Sequence, residues 1–105
     1  MSILTARFKL RKESVANFEV TRDKILSALA EEQPKGIRYT WCKLSDGVTF
    51  LGLLELDEGV TNPLPDMPAG KEFLQNIKNW VVEPPIREEL SVVGSYQSVD
   101  KAPSK

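Results

Sequence analysis

The chain has 105 residues, enough for one hydrophobic core and too few for two. A hydrophobic share of 41% and a charged share of 28% suit a folded domain and exclude a disordered or membrane-embedded chain. Fourteen basic against fifteen acidic side chains leave a net charge of -1, too weak a field for holding nucleic acid or an anionic membrane.

No apolar run approaches the roughly 20 residues of a membrane-spanning helix. The opening Met1-Ser2-Ile3-Leu4 goes straight into patterned sequence, without the basic, apolar and cleavage regions of a secretion signal. One cysteine, Cys42, forms no internal disulfide, and a cytoplasmic protein is expected. The absence of histidine is the most restrictive count. It excludes Ser-His-Asp and Cys-His nucleophile systems and His-ligated zinc, iron or haem. No metal and no cofactor is expected, so any chemistry falls to Arg, Lys, Tyr, Trp, Asp, Glu or the backbone.

From Ile3 to Arg11 the chain alternates, with Leu4, Ala6, Phe8 and Leu10 on one side, and a strand is expected. Ser14 stands as N-cap of a helix whose stripe is Val15, Phe18, Arg22, Ile25 and Leu29. Pro34 and Gly36 end it. Ile37 to Leu44 and Thr49 to Leu56 read as two strands joined by Ser45-Asp46-Gly47-Val48, where Asp-Gly is a hairpin signal. Asp57 to Pro68, with three prolines, reads as an ordered loop. Asp66 is placed to cap a second helix with the stripe Gly70, Phe73, Leu74, Ile77, Trp80 and Val81, and Pro84-Pro85 forbids its continuation. Leu90 to Tyr96 is read as the last strand. Residues 1–99 are expected to form a single α+β barrel domain and 100–105 a mobile tail.

A βαββαβ order gives a ferredoxin-like four-stranded antiparallel sheet with two helices on one face. The helices then cover Leu4, Ala6, Phe8, Leu10, Phe50, Leu54 and Leu56. To the other face this reading assigns Ile3, Tyr39, Trp41, Leu51, Leu53, Leu90, Val92 and Tyr96. Because Phe50-Leu51-Gly52-Leu53-Leu54 is apolar on both sides, a homodimer through the sheet face is expected. A monomer with one solvated, partly apolar face is the alternative.

Five residues are candidates for ligand contact: Arg7, Tyr39, Trp41, Glu55 and Tyr96. Arg7 has the fork to hold a carboxylate or enolate, unless Glu55, of matching parity, pairs with it across the sheet. Tyr39 and Trp41, two residues apart, offer stacking area and a donor each, with Tyr96 as a third aromatic. The same pair also suits an interface core. Cys42 is read as a small hydrophobe on the helix side, Trp80 as packing for the helix end, and Arg87-Glu88-Glu89 as solvated surface.

Several features together resemble the dimeric α+β barrel superfamily, and within it the antibiotic-biosynthesis-monooxygenase-like proteins. They are the element order, the doubly apolar third strand, Asn62-Pro63-Leu64-Pro65, Asn79-Trp80-Val81-Val82-Glu83-Pro84-Pro85 and Ser91-Val92-Val93-Gly94-Ser95-Tyr96. The likeness spans roughly Ile3 to Val99. It implies two sheets paired face to face and a cavity between sheet and helices for a flat aromatic or other small molecule. It also implies oxygenase chemistry without flavin or metal. No histidine is present for haem, and Asn17, Asn76, Asn79, Trp41 and Trp80 do not match a family triad, so no catalytic residue carries over. Two functions stay open: a cofactor-independent monooxygenase-like enzyme acting on a planar aromatic or enolisable small molecule, or a non-catalytic ligand-binding or structural homodimer.

Overall fold

The computed structural model describes residues 2–96. Met1 and the expected tail at 100–105 lie outside the described residues, as do 97–99. The elements run β1 (Ser2–Lys9), α1 (Val15–Glu32), β2 (Ile37–Lys43), β3 (Thr49–Leu56), α2 (Pro68–Trp80) and β4 (Ile86–Leu90). They form one antiparallel sheet in the order β2-β3-β1-β4. This is the ferredoxin-like α+β arrangement, with α1 and α2 over the same face. The helix-side core is Phe8, Leu10, Phe18, Ile25, Phe50, Phe73, Ile77 and Val81.

The hairpin between β2 and β3 is tied by one side chain. The Asp46 carboxylate accepts from Thr49 Oγ1 at 2.6 Å and from the backbone N–H groups of Val48 and Thr49 at 3.0 and 2.9 Å. Those donors, the Thr49 hydroxyl first, hold the exposed Asp46 carboxyl down to about 2. The turn fixes the register, pairing Trp41 with Gly52 and Tyr39 with Leu54. A shared register position means a shared face. Tyr39 and Trp41 therefore point under the helices, not onto the open face, and Cys42, opposite Leu51, is the exposed one.

Two boundaries also move. Ser14 stands as N-cap of α1 as expected, without a side-chain cap bond, whereas Met67, not Asp66, precedes α2. Along α1 the buried positions are Phe18, Thr21 and Ile25, while Arg22 turns outward to Asp23 at 3.1 Å. The last strand is Ile86–Leu90 instead of Leu90–Tyr96. Pro84-Pro85 ends the helical stretch directly beside β1, so the next residues, Ile86 and Arg87, meet Arg7 and Ala6. Val92, Val93 and Tyr96 lie outside any strand, and Val93 is 96% exposed.

The open face carries half-buried Ile3, Leu51 and Leu53 beside exposed Ile86 and Leu90. Charges surround them: Arg38 reaches Glu55 and Asp57, both at 3.2 Å. No helix among the described residues is long and apolar enough to cross a membrane.

Gly52 lies directly under the ring of its cross-strand neighbour Trp41. A Cβ there would stand 2.7 Å from Trp41 Cη2 and 2.8 Å from Cζ3, inside the contact distance of about 3.5–4.0 Å between carbons. Gly52→Ala is expected to lower stability by about 1–3 kcal/mol in urea unfolding, the usual range for overpacking. In a Trp41→Leu background the added penalty should fall to under about 0.5 kcal/mol, because the colliding ring is gone. An undiminished penalty there would place the cause in the strand backbone.

Candidate functional site

Between the sheet and the helices lies a cavity of about 350 Å3. Its floor is Leu4 and Ala6 of β1, Gly52 and Leu54 of β3, and Tyr39 and Trp41 of β2. Ala6 and Gly52 are direct partners across the sheet, so the two smallest side chains on this face lie side by side. Ile25 of α1, Phe73 and Leu74 of α2, and Leu64 and Pro65 of the intervening loop close the space from above and beside. A volume of this size accepts a small ring system.

The roof is held by a close backbone contact. A Cβ on Gly70 would run into the carbonyl oxygen of Leu64, so only glycine lets the first turn of α2 sit on that loop. Asn62 Oδ1 accepts from the Leu64 N–H at 2.9 Å and fixes the turn. The Asn62 side chain borders the cavity, as do Arg87 and Glu89 from the helix side of β4.

Trp41 dominates the interior. Its ring meets Phe8, Phe18, Phe73 and Tyr39 edge-on, at centroid separations of 5.6, 5.2, 6.2 and 5.7 Å. Its Nε1–H is buried and has no acceptor in hydrogen-bonding geometry. An unmade buried hydrogen bond costs about 1–3 kcal/mol. Tyr39 stands next to it. Burial pushes the Tyr39 phenol up from 10.0 to about 12, and the neighbouring Trp41 indole N–H opposes this only in part. The indole acts on the phenol oxygen without being satisfied by it. Near neutral pH Tyr39 is thus a neutral phenol and a donor, unfit as a base.

The five candidate residues divide. Tyr39 and Trp41 line the cavity. Arg7 and Glu55 lie on the opposite face of the sheet and do not pair: Glu55 is taken by Arg38, and Arg7 sits between Leu51 and Ile86. Tyr96 is 87% exposed, belongs to no strand and does not line the cavity. Sequence reasoning missed Gly52, Phe73 and Leu74 as cavity walls. It read Arg87 and Glu89 as plain surface, although they stand at the mouth. A glycine inside an apolar strand was the available signal, since it marks a close approach.

The raised phenol has a consequence for stability. The unfolded chain ionises Tyr39 near its ordinary value and the folded chain near 12, so folding stability is full below about pH 10 and declines as pH rises toward 12. Absorbance titration of a Tyr96→Phe variant, which leaves Tyr39 as the only tyrosine, should show this ionisation near 12 or coincident with alkaline unfolding. A midpoint near 10 in the folded protein would mean that the phenol is open to water.

No protein-family model and no curated protein matches the sequence. Solved structures do. An antibiotic biosynthesis monooxygenase superposes with a TM-score of 0.75 at 10% identity, over 90% of this chain and 100% of the other. SnoaB, a cofactor-independent oxygenase from Streptomyces nogalater, gives 0.70 at 13% identity, over 92% and 97%. Rv0793 from Mycobacterium tuberculosis gives 0.70 at 14% identity, over 90% and 96%. The layered sheet and the helix pair thus compose the fold seen in the antibiotic biosynthesis monooxygenase structures.

Proposed function

We propose that the chain binds a planar, oxygen-bearing aromatic small molecule in this cavity and acts on it as a cofactor-independent oxygenase. The observation that carries the reading is the buried Trp41 N–H without an acceptor, set beside a protonated Tyr39 in an otherwise apolar hollow. Each of these two lining residues carries a donor, and a donor pair suits a ligand oxygen, above all one gaining negative charge as an enolate. The fold shared with a cofactor-independent oxygenase supports the same reaction class.

The chemistry balances without an external reductant. An activated methylene of the ligand loses a proton, and the enolate oxygen accepts from Trp41 and Tyr39. The enolate then gives its electrons to dioxygen. One oxygen atom stays on the carbon as a carbonyl, and the other leaves as water with the second methylene hydrogen and one proton taken up from solvent, which replaces the one lost on enolisation. The groups enclosed at that point are donors, so the proton leaves through the mouth, beside Glu89. This lack of an enclosed base favours a second reading, a binding homodimer without turnover.

An anthrone is a suitable probe. In a Trp80→Phe variant, which leaves Trp41 as the only tryptophan, saturable quenching and uptake of one dioxygen per anthrone are expected. Trp41→Phe should weaken binding about fivefold by calorimetry, the worth of roughly one net hydrogen bond. Quenching without oxygen uptake would select the binding reading. No binding of anthrones, quinones or quinols would remove both.

The proposal includes a homodimer closed by the open sheet face, where Leu51, Leu53, Ile86 and Leu90 lie partly or largely in water. Sedimentation at micromolar concentration should give twice the mass of one chain. Leu53→Arg, a charge in the middle of that face, should give one chain's mass with an unchanged far-UV spectrum. A wild-type protein sedimenting as a single chain overturns the pairing.

A further inference from the structure

Tyr39 borders two hollows. On one side is the cavity above. On the other is a space of about 230 Å3 between the end of α1 and the start of β2, walled by Leu26, Leu29, Ala30, Gln33, Pro34 and Ile37. Tyr39 is the single residue common to both linings among the described residues. Its ring stands edge-on to Trp41 at 76°, and the walls on its far side are mostly apolar, with Gln33 the one polar side chain besides Tyr39.

We propose that the Tyr39 ring is a partition that sets the length of the ligand. Closed, it confines the cavity to a compact ring system. Shortened, it joins the two spaces into one apolar channel beneath α1, fit for a ring bearing an alkyl chain. No ion pair stands at this junction among the described residues, and the backbone of Tyr39 stays paired to Leu54 whatever its side chain does. The side chain alone decides the length. This specificity role rests on the ligand-binding reading of the cavity and is separate from the donor role of the hydroxyl, because phenylalanine keeps the ring and drops the oxygen.

The test compares an anthrone with its hexyl derivative, by calorimetry, on wild type, Tyr39→Phe and Tyr39→Leu. Leucine keeps an apolar side chain in the strand and is preferred to alanine as the safer fold. Wild type and Tyr39→Phe should bind the hexyl compound about tenfold more weakly than the parent, a difference of about 1.4 kcal/mol. Tyr39→Leu should abolish or reverse that ratio. Equal ratios in all three proteins, or a Tyr39→Phe that behaves like Tyr39→Leu, overturn the partition. Crystals under xenon pressure give a readout independent of ligand choice. Xenon should occupy two separated sites in wild type and also the vacated ring position in Tyr39→Leu. Xenon at that position with no anthrone bound to any variant would uphold the partition and fault the ligand reading; xenon absent from it would overturn the partition itself.

Discussion

The site depends on one contact, the face of Trp41 laid against Gly52 across the β2–β3 ladder. A tryptophan on a sheet stands upright if its neighbours carry side chains. Here the neighbour has none, so the ring lies low and reaches Phe8 and Phe18 from the side. The aromatic cluster then fills one end of the space under the helices. Beside it Ala6, the partner of Gly52 across the sheet, leaves the floor shallow, and the helices cannot sink to meet it because Phe73 already rests on the cluster. The hollow follows from a mismatch in side-chain size along one face.

Among the described residues the ion pairs stand away from this interior, and Arg87 and Glu89 mark only its border. Arg38 with Glu55 and Asp57 lies on the far side of the sheet, and Lys24–Glu72 and Arg22–Asp23 lie on helix surfaces. Exposed pairs like these contribute little to stability, about 0–1 kcal/mol each. Beside the aromatic cluster the polar groups are then the Trp41 indole N–H and the Tyr39 hydroxyl. A site of that kind discriminates by what it lacks. A ligand donor facing Trp41 would find no acceptor, whereas a carbonyl, phenolate or enolate oxygen would complete the indole's missing bond.

The element order, the hairpin and the two-sided apolarity of β3 were legible because each is written in a local pattern: Asp46-Gly47 between β-rich runs, and Phe50 to Leu54 without a polar residue. The face of Tyr39 and Trp41 was not read correctly. Strand alternation gives two equivalent parities, and the choice between them belongs to the pairing partner. Counting outward from the Asp46 turn would have set Trp41 opposite Gly52. The last strand was misplaced for a different reason. β-propensity favours Ser91 to Tyr96 over Ile86-Arg-Glu-Glu-Leu90, but β4 is an edge strand, where charged side chains face water at no cost to packing. Arg87 and Glu89 were passed over as cavity neighbours because an edge position is at once solvent and rim.

The seat of Gly70 on the Leu64 carbonyl bears on how anything gets in. With no gap between them, the 62–66 loop and the first turn of α2 travel together as one plate, and the Asn62–Leu64 bond stiffens it further. That wall does not breathe by itself. The opposite border is β4, five residues long and bonded on one side only, to β1. The border at Arg87 and Glu89 is therefore the less tied one, and it sets a guanidinium and a carboxylate at the rim of the hollow, outside its aromatic rings.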